Sequence, residues 1–208
     1  RIVAFKELIS HIGRPEILNA DFFIGAHFEG FRKEMPSPLL LDMSIHTFDA
    51  ARFISGADAV SVYCEEFNPS WSWWRHDACA TALFEMTGGL RYTYRGSWCS
   101  DGRHTPWESE WRAVGPNGSA TWDGDQDIAA DVVDAPGTGF MIETRPLRAA
   151  PATMDFAAGV NGSLREFLRA LKTGTTPMCE CHDNFKSLAM VFAAIESAAT
   201  GRRVPVQS

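Results

Sequence analysis

A run of short segments that favour β-strands constrains the fold of this 208-residue chain more than any other feature. Turn residues separate its four members, which are Ala59–Phe67, Cys79–Thr87, Leu90–Trp98 and Glu108–Val114. Within Thr87-Gly88-Gly89-Leu90 the two glycines tolerate the positive φ of a hairpin turn. Two stretches with apolar residues at helical spacing come later, at Val160–Lys172 and Asn184–Ala199. Strands flanked by helices predict an α+β fold.

Further elements are predicted around this run. They are a helix over Val3–His11 and strands over Glu16–Phe28, Ser119–Trp122 and Gly139–Leu147. We expect Glu29–Pro38 to be a loop, and the acidic segment Asp123–Pro136 to hold a peripheral strand and a loop. Asp183 is the expected N-cap of the last helix, because a carboxylate accepts hydrogen bonds from free backbone N–H groups. The length suits a single domain over residues 1–208.

The segment Leu41–Ile54 carries the strongest functional pattern. It is a predicted helix, largely apolar, and Asp42, His46 and Asp49 recur at i, i+4 and i+7 on one stripe. A carboxylate and an imidazole at that spacing can serve one small substrate, because residues four apart on a helix lie about 6 Å apart. Histidine also transfers protons near neutral pH. A structural or surface pair is the alternative reading of the same stripe.

Several segments resemble one known family when they are taken together. Leu40-Leu41-Asp42-Met43-Ser44-Ile45-His46 resembles the Asp-x-x-x-His motif of the glucose–fructose oxidoreductase and inositol dehydrogenase (Gfo/Idh/MocA) family. Three later segments are similar to its later strands, its tight turn and its terminal helix and tail: Gly96–Trp98, Trp111–Ala120 and Ala194–Val206. The resemblance covers the chain from about residue 13 to its end. One departure is Ser37-Pro38-Leu39-Leu40, which stands where many members are glycine-rich.

The resemblance implies a C-terminal domain: an open, mostly antiparallel sheet with helices on one face, like that of dihydrodipicolinate reductase. The family's N-terminal Rossmann domain, which binds NAD or NADP and supplies a catalytic lysine, has no counterpart in this sequence. By the resemblance, His46 would shuttle or orient the hydroxyl proton of a sugar or cyclitol. Asp42 would hold a neighbouring hydroxyl or set the imidazole tautomer. The chain alone is then expected to be inactive.

Two further substrate contacts are expected from loops. Arg32 and Lys33 lie in the segment that leads from strand to helix in the family, and Arg32 is the candidate that would meet substrate oxygens. Solvated loop charge is the alternative for both residues. Trp74 belongs to an aromatic cluster in a polar loop, and exposed aromatic faces stack well on sugar rings. A structural role, or a contact with a neighbouring subunit, is the alternative for Trp74.

Composition excludes several classes of partner. A net charge of −7 argues against nucleic acid and anionic membranes, and no apolar run approaches the roughly 20 residues of a membrane span. The five cysteines form no regular framework, which favours reduced thiols in the cytoplasm. Cys179, Cys181 and His182 lie close together, but a structural zinc site usually needs a second ligand pair, so no metal is expected. Tryptophans on or near strands suggest sheet packing or a homodimer or homotetramer formed through the sheet face; they are Trp98, Trp107, Trp111 and Trp122.

Two other functions remain open at the level of sequence. One is a non-catalytic module that binds carbohydrate or assembles subunits. The other is a metal-dependent hydrolase or lyase that uses Cys179, Cys181 and His182 with a distant carboxylate. The sugar or cyclitol oxidoreductase is favoured over both, because it alone accounts for the order and spacing of the segments quoted above.

Overall fold

A single mixed sheet of nine strands forms the framework of the domain. The computed structural model describes residues 1–135, 137, 139–149 and 159–207. The strands are β1 (Ile17–Phe23), β2 (Ala59–Phe67), β3 (Cys79–Met86), β4 (Arg91–Ser97), β5 (Glu110–Gly115), β6 (Gly118–Trp122), β7 (Ile128–Val133), β8 (Thr144–Arg148) and β9 (Val204–Pro205). Their order across the sheet is β8-β7-β6-β5-β1-β4-β3-β2-β9. Only β1 and β4 pair in parallel, so the expected open and mostly antiparallel sheet is confirmed.

Four helices accompany the sheet. They are α1 (Ile2–Ile9), α2 (Ile45–Ser55), α3 (Gly159–Thr173) and α4 (Cys181–Thr200). Gly56 ends α2 in the left-handed conformation, with φ of 66°, as its place after the last apolar residue predicts. Helices α1, α2 and α4 contact the sheet and α2 contacts both α1 and α4, whereas α3 buries only three of its residues. None of the helices in the described ranges is long and apolar enough to cross a membrane.

The core lies between the sheet and the helices. Alternate residues of β3 and β4 face the helices, as the two-residue period of a strand requires. Phe48 of α2 is fully buried there, with its ring 4.9 Å from that of Phe84 and 5.2 Å from that of Tyr94. Aromatic pairs at these distances stabilise a core beyond the area they bury. The packing fixes α2 firmly on the sheet.

The strand tryptophans belong to this core. Trp98, Trp111 and Trp122 are buried, and Trp122 packs against Phe5 of α1. Trp107 is exposed in the loop before β5. Sheet packing, one of the two expected roles, is therefore what Trp98, Trp111 and Trp122 do.

Some predicted boundaries were wrong. The first strand ends at Phe23 instead of Phe28, because its regular pairing with β4 stops there; beyond it, Gly25 forms an isolated bridge to Cys99. The last helix begins at Cys181, three residues before the predicted start, and its N-cap is Glu180 instead of Asp183. The side chain of Glu180 accepts hydrogen bonds from the backbone N–H groups of His182 and Asp183. Part of the Asp123–Pro136 prediction, at Pro136, lies outside the described residues.

Candidate active site

The helix that carries Asp42 and His46 starts with a turn of π-helix. Residues Leu40–Ser44 are π-helical, and the α-helix begins only at Ile45. A π-helix closes its hydrogen bonds between residues five apart, so each turn contains more residues than an α-helical turn. Side chains four apart consequently rotate away from each other across this junction. The regular stripe expected for Asp42, His46 and Asp49 is therefore interrupted at its first member.

Asp42 is paired with Arg32. The Nε atom of Arg32 donates to Oδ1 of Asp42 at 3.2 Å, and the carboxylate is mostly buried. The guanidinium also lies 5.1 Å from the ring centres of Phe28 and Phe31. The structure thus brings together two of the residues that the sequence singled out. It ties the loop before the helix to the helix start.

His46 lies at the rim of two cavities on the helical side of the domain. One cavity, of about 520 Å³, has walls from α2, from the start of α4 and from the segment before it; it is lined by residues that include Asp49, Phe53, Cys179, Asp183 and Lys186. The other, of about 770 Å³, lies towards Met43 and Trp107. The imidazole is exposed and makes no hydrogen bond to any described side chain. It is free to meet a ligand from either cavity.

Asp49, which also lines the first cavity, has a partner on α4. Its Oδ1 accepts a hydrogen bond of 2.6 Å from Ser187 of α4. Beside it, Arg52 is buried and donates to Asp58, to Asp183 and to Ser187, at 2.8 to 2.9 Å for the shortest bond to each. Burial alone would lower the pKa of Arg52, but the hydrogen bonds that it donates to the two carboxylates raise it overall. This network joins α2 to α4 around the first cavity.

Trp74 does not offer an exposed face. Only 4% of the residue is exposed, and its indole N–H donates to the carbonyl of Trp98 at 3.0 Å. Trp71 is the exposed member of the aromatic loop at 73%, and Trp73 stacks on His27 with ring centres 3.7 Å apart. These side chains border a cavity on the uncovered face of the sheet, away from His46. The structure therefore does not bring Trp74 together with Asp42 and His46.

Sequence reasoning missed one buried carboxyl. Glu66 of β2 faces the helical side, where its Oε2 accepts a hydrogen bond of 2.9 Å from Ser37 and its buried Oε1 has no partner among the described residues. Burial raises the pKa of Glu66 to about 7, against a smaller opposing effect of Ser37. Ser37 itself has a φ of 45°, a rare conformation for a residue other than glycine. No sequence signal marks this pair, because 29 residues separate its members.

Chemically, the arrangement offers an exposed imidazole and a carboxylate held by an arginine. The imidazole can accept or donate one proton, and the Asp42–Arg32 pair can exchange hydrogen bonds with hydroxyl groups. The described residues include no glycine-rich turn that leads from a strand into a helix, which is the usual phosphate-binding element of dinucleotide sites.

Comparison with known proteins supports the resemblance seen in the sequence. A family model described as the GFO/IDH/MocA C-terminal domain matches residues 2–121. An uncharacterized protein, y4oX, of Sinorhizobium fredii is 26% identical over 195 residues, which are 90% of this chain and 52% of that protein. This chain thus spans about half the length of that curated relative.

Solved structures share the fold. An oxidoreductase from Agrobacterium radiobacter, in complex with NAD+, L-tartaric acid and magnesium, has a TM-score of 0.72 and 24% identity, over 99% of this chain and 61% of that one. Levoglucosan dehydrogenase in complex with NADH and L-sorbose has a TM-score of 0.77 and 16% identity, over 100% of this chain and 63% of the other. At these identities the similarity establishes the fold alone.

Proposed function

Because the chain belongs to the GFO/IDH/MocA C-terminal domain family, we propose that it is the substrate-binding domain of an NAD- or NADP-dependent oxidoreductase. The substrate would be a sugar or cyclitol that reacts at a CH–OH group. The observation that carries the proposal is the position of His46, an exposed imidazole at the rim of two cavities, one turn from the Arg32–Asp42 pair. The complexes of the solved relatives with L-sorbose and with L-tartaric acid support a small hydroxylated ligand.

His46 would handle the proton of the reacting hydroxyl. In the oxidation of an alcohol, the hydroxyl proton must leave as the carbon loses hydride, and a neutral imidazole within hydrogen-bond distance can accept it. Asp42 would hold a neighbouring hydroxyl, because the carboxylate has acceptor positions beyond the one that Arg32 uses. Arg32 would hold that carboxylate in place through their hydrogen bond, and would donate to a substrate oxygen.

The nicotinamide cofactor would be held mainly by a nucleotide-binding domain outside this chain. When bound, it supplies the site that accepts or donates hydride. The residues of this chain fit only one side of such a group: the cavity beside His46 has apolar walls at Ile2, Val3 and Phe53, which suit a planar ring. Their part is to cover the ring and to exclude water. This domain alone would therefore be inactive.

An uncovered apolar surface supports the presence of a further domain. Helices α3 and α4 expose large apolar side chains on the side away from the sheet: Leu164, Phe167, Leu168, Leu171, Phe185 and Phe192. Contiguous exposed apolar surface usually marks a protein interface. Met178, which is also exposed, links this surface to the cavity at His46. A nucleotide-binding domain packed here would bring its cofactor towards His46.

The uncovered face of the sheet would form the interface between subunits. It mixes a charged pair, Arg95–Asp21, with exposed apolar side chains at Ile17, Leu83 and Phe67. A broad face with this composition resembles non-obligate protein interfaces, in which apolar area is mixed with polar groups. We propose a homodimer, or a homotetramer built from such dimers, in the cytoplasm.

The test uses the longest natural protein that contains this chain. Wild type is screened against sugars and cyclitols with NAD and with NADP, by the absorbance of the reduced nicotinamide. His46→Ala is expected to lower kcat by about 10²–10⁴-fold, because it removes a general base. His11→Ala is the matched control, since His11 is exposed in the short helical turn after α1, away from these cavities.

The possible results separate the functions. Loss of turnover in His46→Ala but not in His11→Ala supports the proposed role. Equal turnover in both variants would refute it and leave His46 a surface residue. Sugar binding without any turnover or nucleotide binding would indicate a non-catalytic carbohydrate-binding or assembly module instead.

A further inference from the structure

Three different metal-binding side chains converge at the start of α4. Oε1 of Glu180 lies 2.5 Å from Nδ1 of His182 and 3.1 Å from Sγ of Cys181. Sγ and Nδ1 lie 3.5 Å apart. A carboxylate, a thiol and an imidazole therefore face one small volume that is open to solvent. From the sequence, Cys179, Cys181 and His182 were the candidate ligands and no metal was expected. The structure puts Cys179 in the cavity beside His46 and places the carboxylate of Glu180 in the cluster.

The carboxylate of Glu180 is held in position by the helix itself. Its Oε2 accepts hydrogen bonds from the backbone N–H groups of His182 and Asp183, at 3.0 and 3.3 Å. This N-cap leaves Oε1 directed at the thiol and the imidazole. His182 offers Nδ1 towards the cluster, while 90% of its side chain is exposed, so Nε2 can carry the ring proton in water. One ligand is thus fixed before any cation binds.

The three atoms are spaced for a small cation. From their separations, the circle through them has a radius of about 1.8 Å. A point at the zinc–ligand distances of about 2.0–2.3 Å from all three therefore exists just above their plane. The 2.5 Å separation of Oε1 and Nδ1 fits a hydrogen bond. For a zinc ion to bind both atoms at a tetrahedral angle, that separation must widen by under about 1 Å.

We propose that Glu180, Cys181 and His182 form a binding site for Zn²⁺ at the first turn of α4. Thiolate, imidazole and carboxylate together match the ligand preferences of zinc, and three protein ligands leave a fourth position for water. On binding, the thiol proton of Cys181 passes to solvent. The ion would fix the turn from which Asp183 and Ser187 reach Arg52 and Asp49. This proposal does not depend on the proposed oxidoreductase activity.

The experiment measures cation binding directly. The full-length protein is treated with a chelator and titrated with Co²⁺, whose bond to a thiolate gives a charge-transfer absorbance, and then with Zn²⁺ in competition. Cys181→Ser and His182→Ala remove one ligand each at exposed positions, so both variants should fold. Cys179→Ser is the matched control, because it removes a neighbouring thiol that lies outside the cluster.

We expect the thiolate–cobalt absorbance to saturate at one equivalent in wild type and in Cys179→Ser, and to be absent in Cys181→Ser. His182→Ala should weaken binding by at least about tenfold, since loss of even an outer partner of a metal ligand costs 10–100-fold. Zn²⁺ should abolish the absorbance. The proposal is overturned by an absence of the band in wild type, by its persistence in Cys181→Ser, or by unchanged affinity in His182→Ala.

Discussion

Removing the guanidinium of Arg52 should destabilise the protein by about 3 kcal/mol. Arg52 is 7% exposed and makes two hydrogen bonds to Asp58, one to Ser187 and two to Asp183 at 3.1 Å or less. Breaking a buried ion pair costs about 3–5 kcal/mol, because the remaining charge is left uncompensated. The side chains of Asp58 and Asp183 are 40% and 56% exposed, so water can solvate them after the loss. The lower end of the range therefore applies.

The assay is urea unfolding of Arg52→Met, which keeps the apolar stem, followed by circular dichroism. Arg145→Met is the matched control, because Arg145 pairs with Asp134 at the surface, where both side chains are more than half exposed; it should cost under about 1 kcal/mol. An equal effect of the two substitutions, or a loss below about 1 kcal/mol for Arg52→Met, would refute the reasoning. A change in the slope of the unfolding free energy against urea concentration would mean that the substitution altered the compactness of the folded or unfolded state, or that unfolding was no longer two-state.

The hydrogen-bond network of Arg52 also determines how the stability difference between wild type and Arg52→Met depends on pH. Burial alone would raise the pKa of Asp58, but hydrogen bonds from Lys186 and Arg52 lower it below its usual value of 3.8. A lowered carboxyl pKa stabilises the folded state above the unfolded pKa, and this stabilisation is lost as the pH falls through the folded pKa. The stability difference between wild type and Arg52→Met should therefore shrink below about pH 4 and stay constant above it.

Two other substitutions test the buried carboxyl and the sheet face. Burial raises the pKa of Glu66 to about 7, so ionisation of this carboxyl at pH 8 is unfavourable in the folded state. Glu66→Gln should therefore stabilise the protein at pH 8 by on the order of 2 kcal/mol, a value discounted for partial exposure. That gain should vanish at about pH 3, well below the unfolded pKa, where both states hold the proton. Glu65→Gln, on the exposed side of β2, is the control, and a gain independent of pH would contradict the explanation. Leu83→Lys should weaken self-association at least about tenfold in sedimentation, because a charge would be buried at the proposed interface. Leu164→Lys, on α3, is the control and should leave self-association unchanged. Equal effects of the two substitutions would exclude the sheet face as the interface.

Local patterns predicted much of the fold. The segment Ala59–Phe67 is a strand with the predicted limits, because its ends are marked by local turn chemistry. The turn at Gly88 and Gly89 has positive φ at both glycines, as its composition requires. The nearest-neighbour rules of helices and strands suffice for such features, and the order of motifs was enough to indicate the family. The limits of β1 were poorly predicted, since pairing with β4 and β5 decides where that strand ends.

The sequence by itself identified the candidate residues of the site, whereas the tertiary structure decided which groups each of them contacts. Asp42 and His46 were recognised from their spacing, but the π-helical turn, the pairing of Asp42 with Arg32 and the bond from Ser187 to Asp49 came only from the folded chain. The same holds for the burial of Trp74 against Trp98 and of Glu66 beside Ser37. The physical reason is that helix and turn preferences act over a few residues. Burial, hydrogen-bond partners and the pKa values that follow from them depend on groups up to 138 positions away, which only the packed domain brings together.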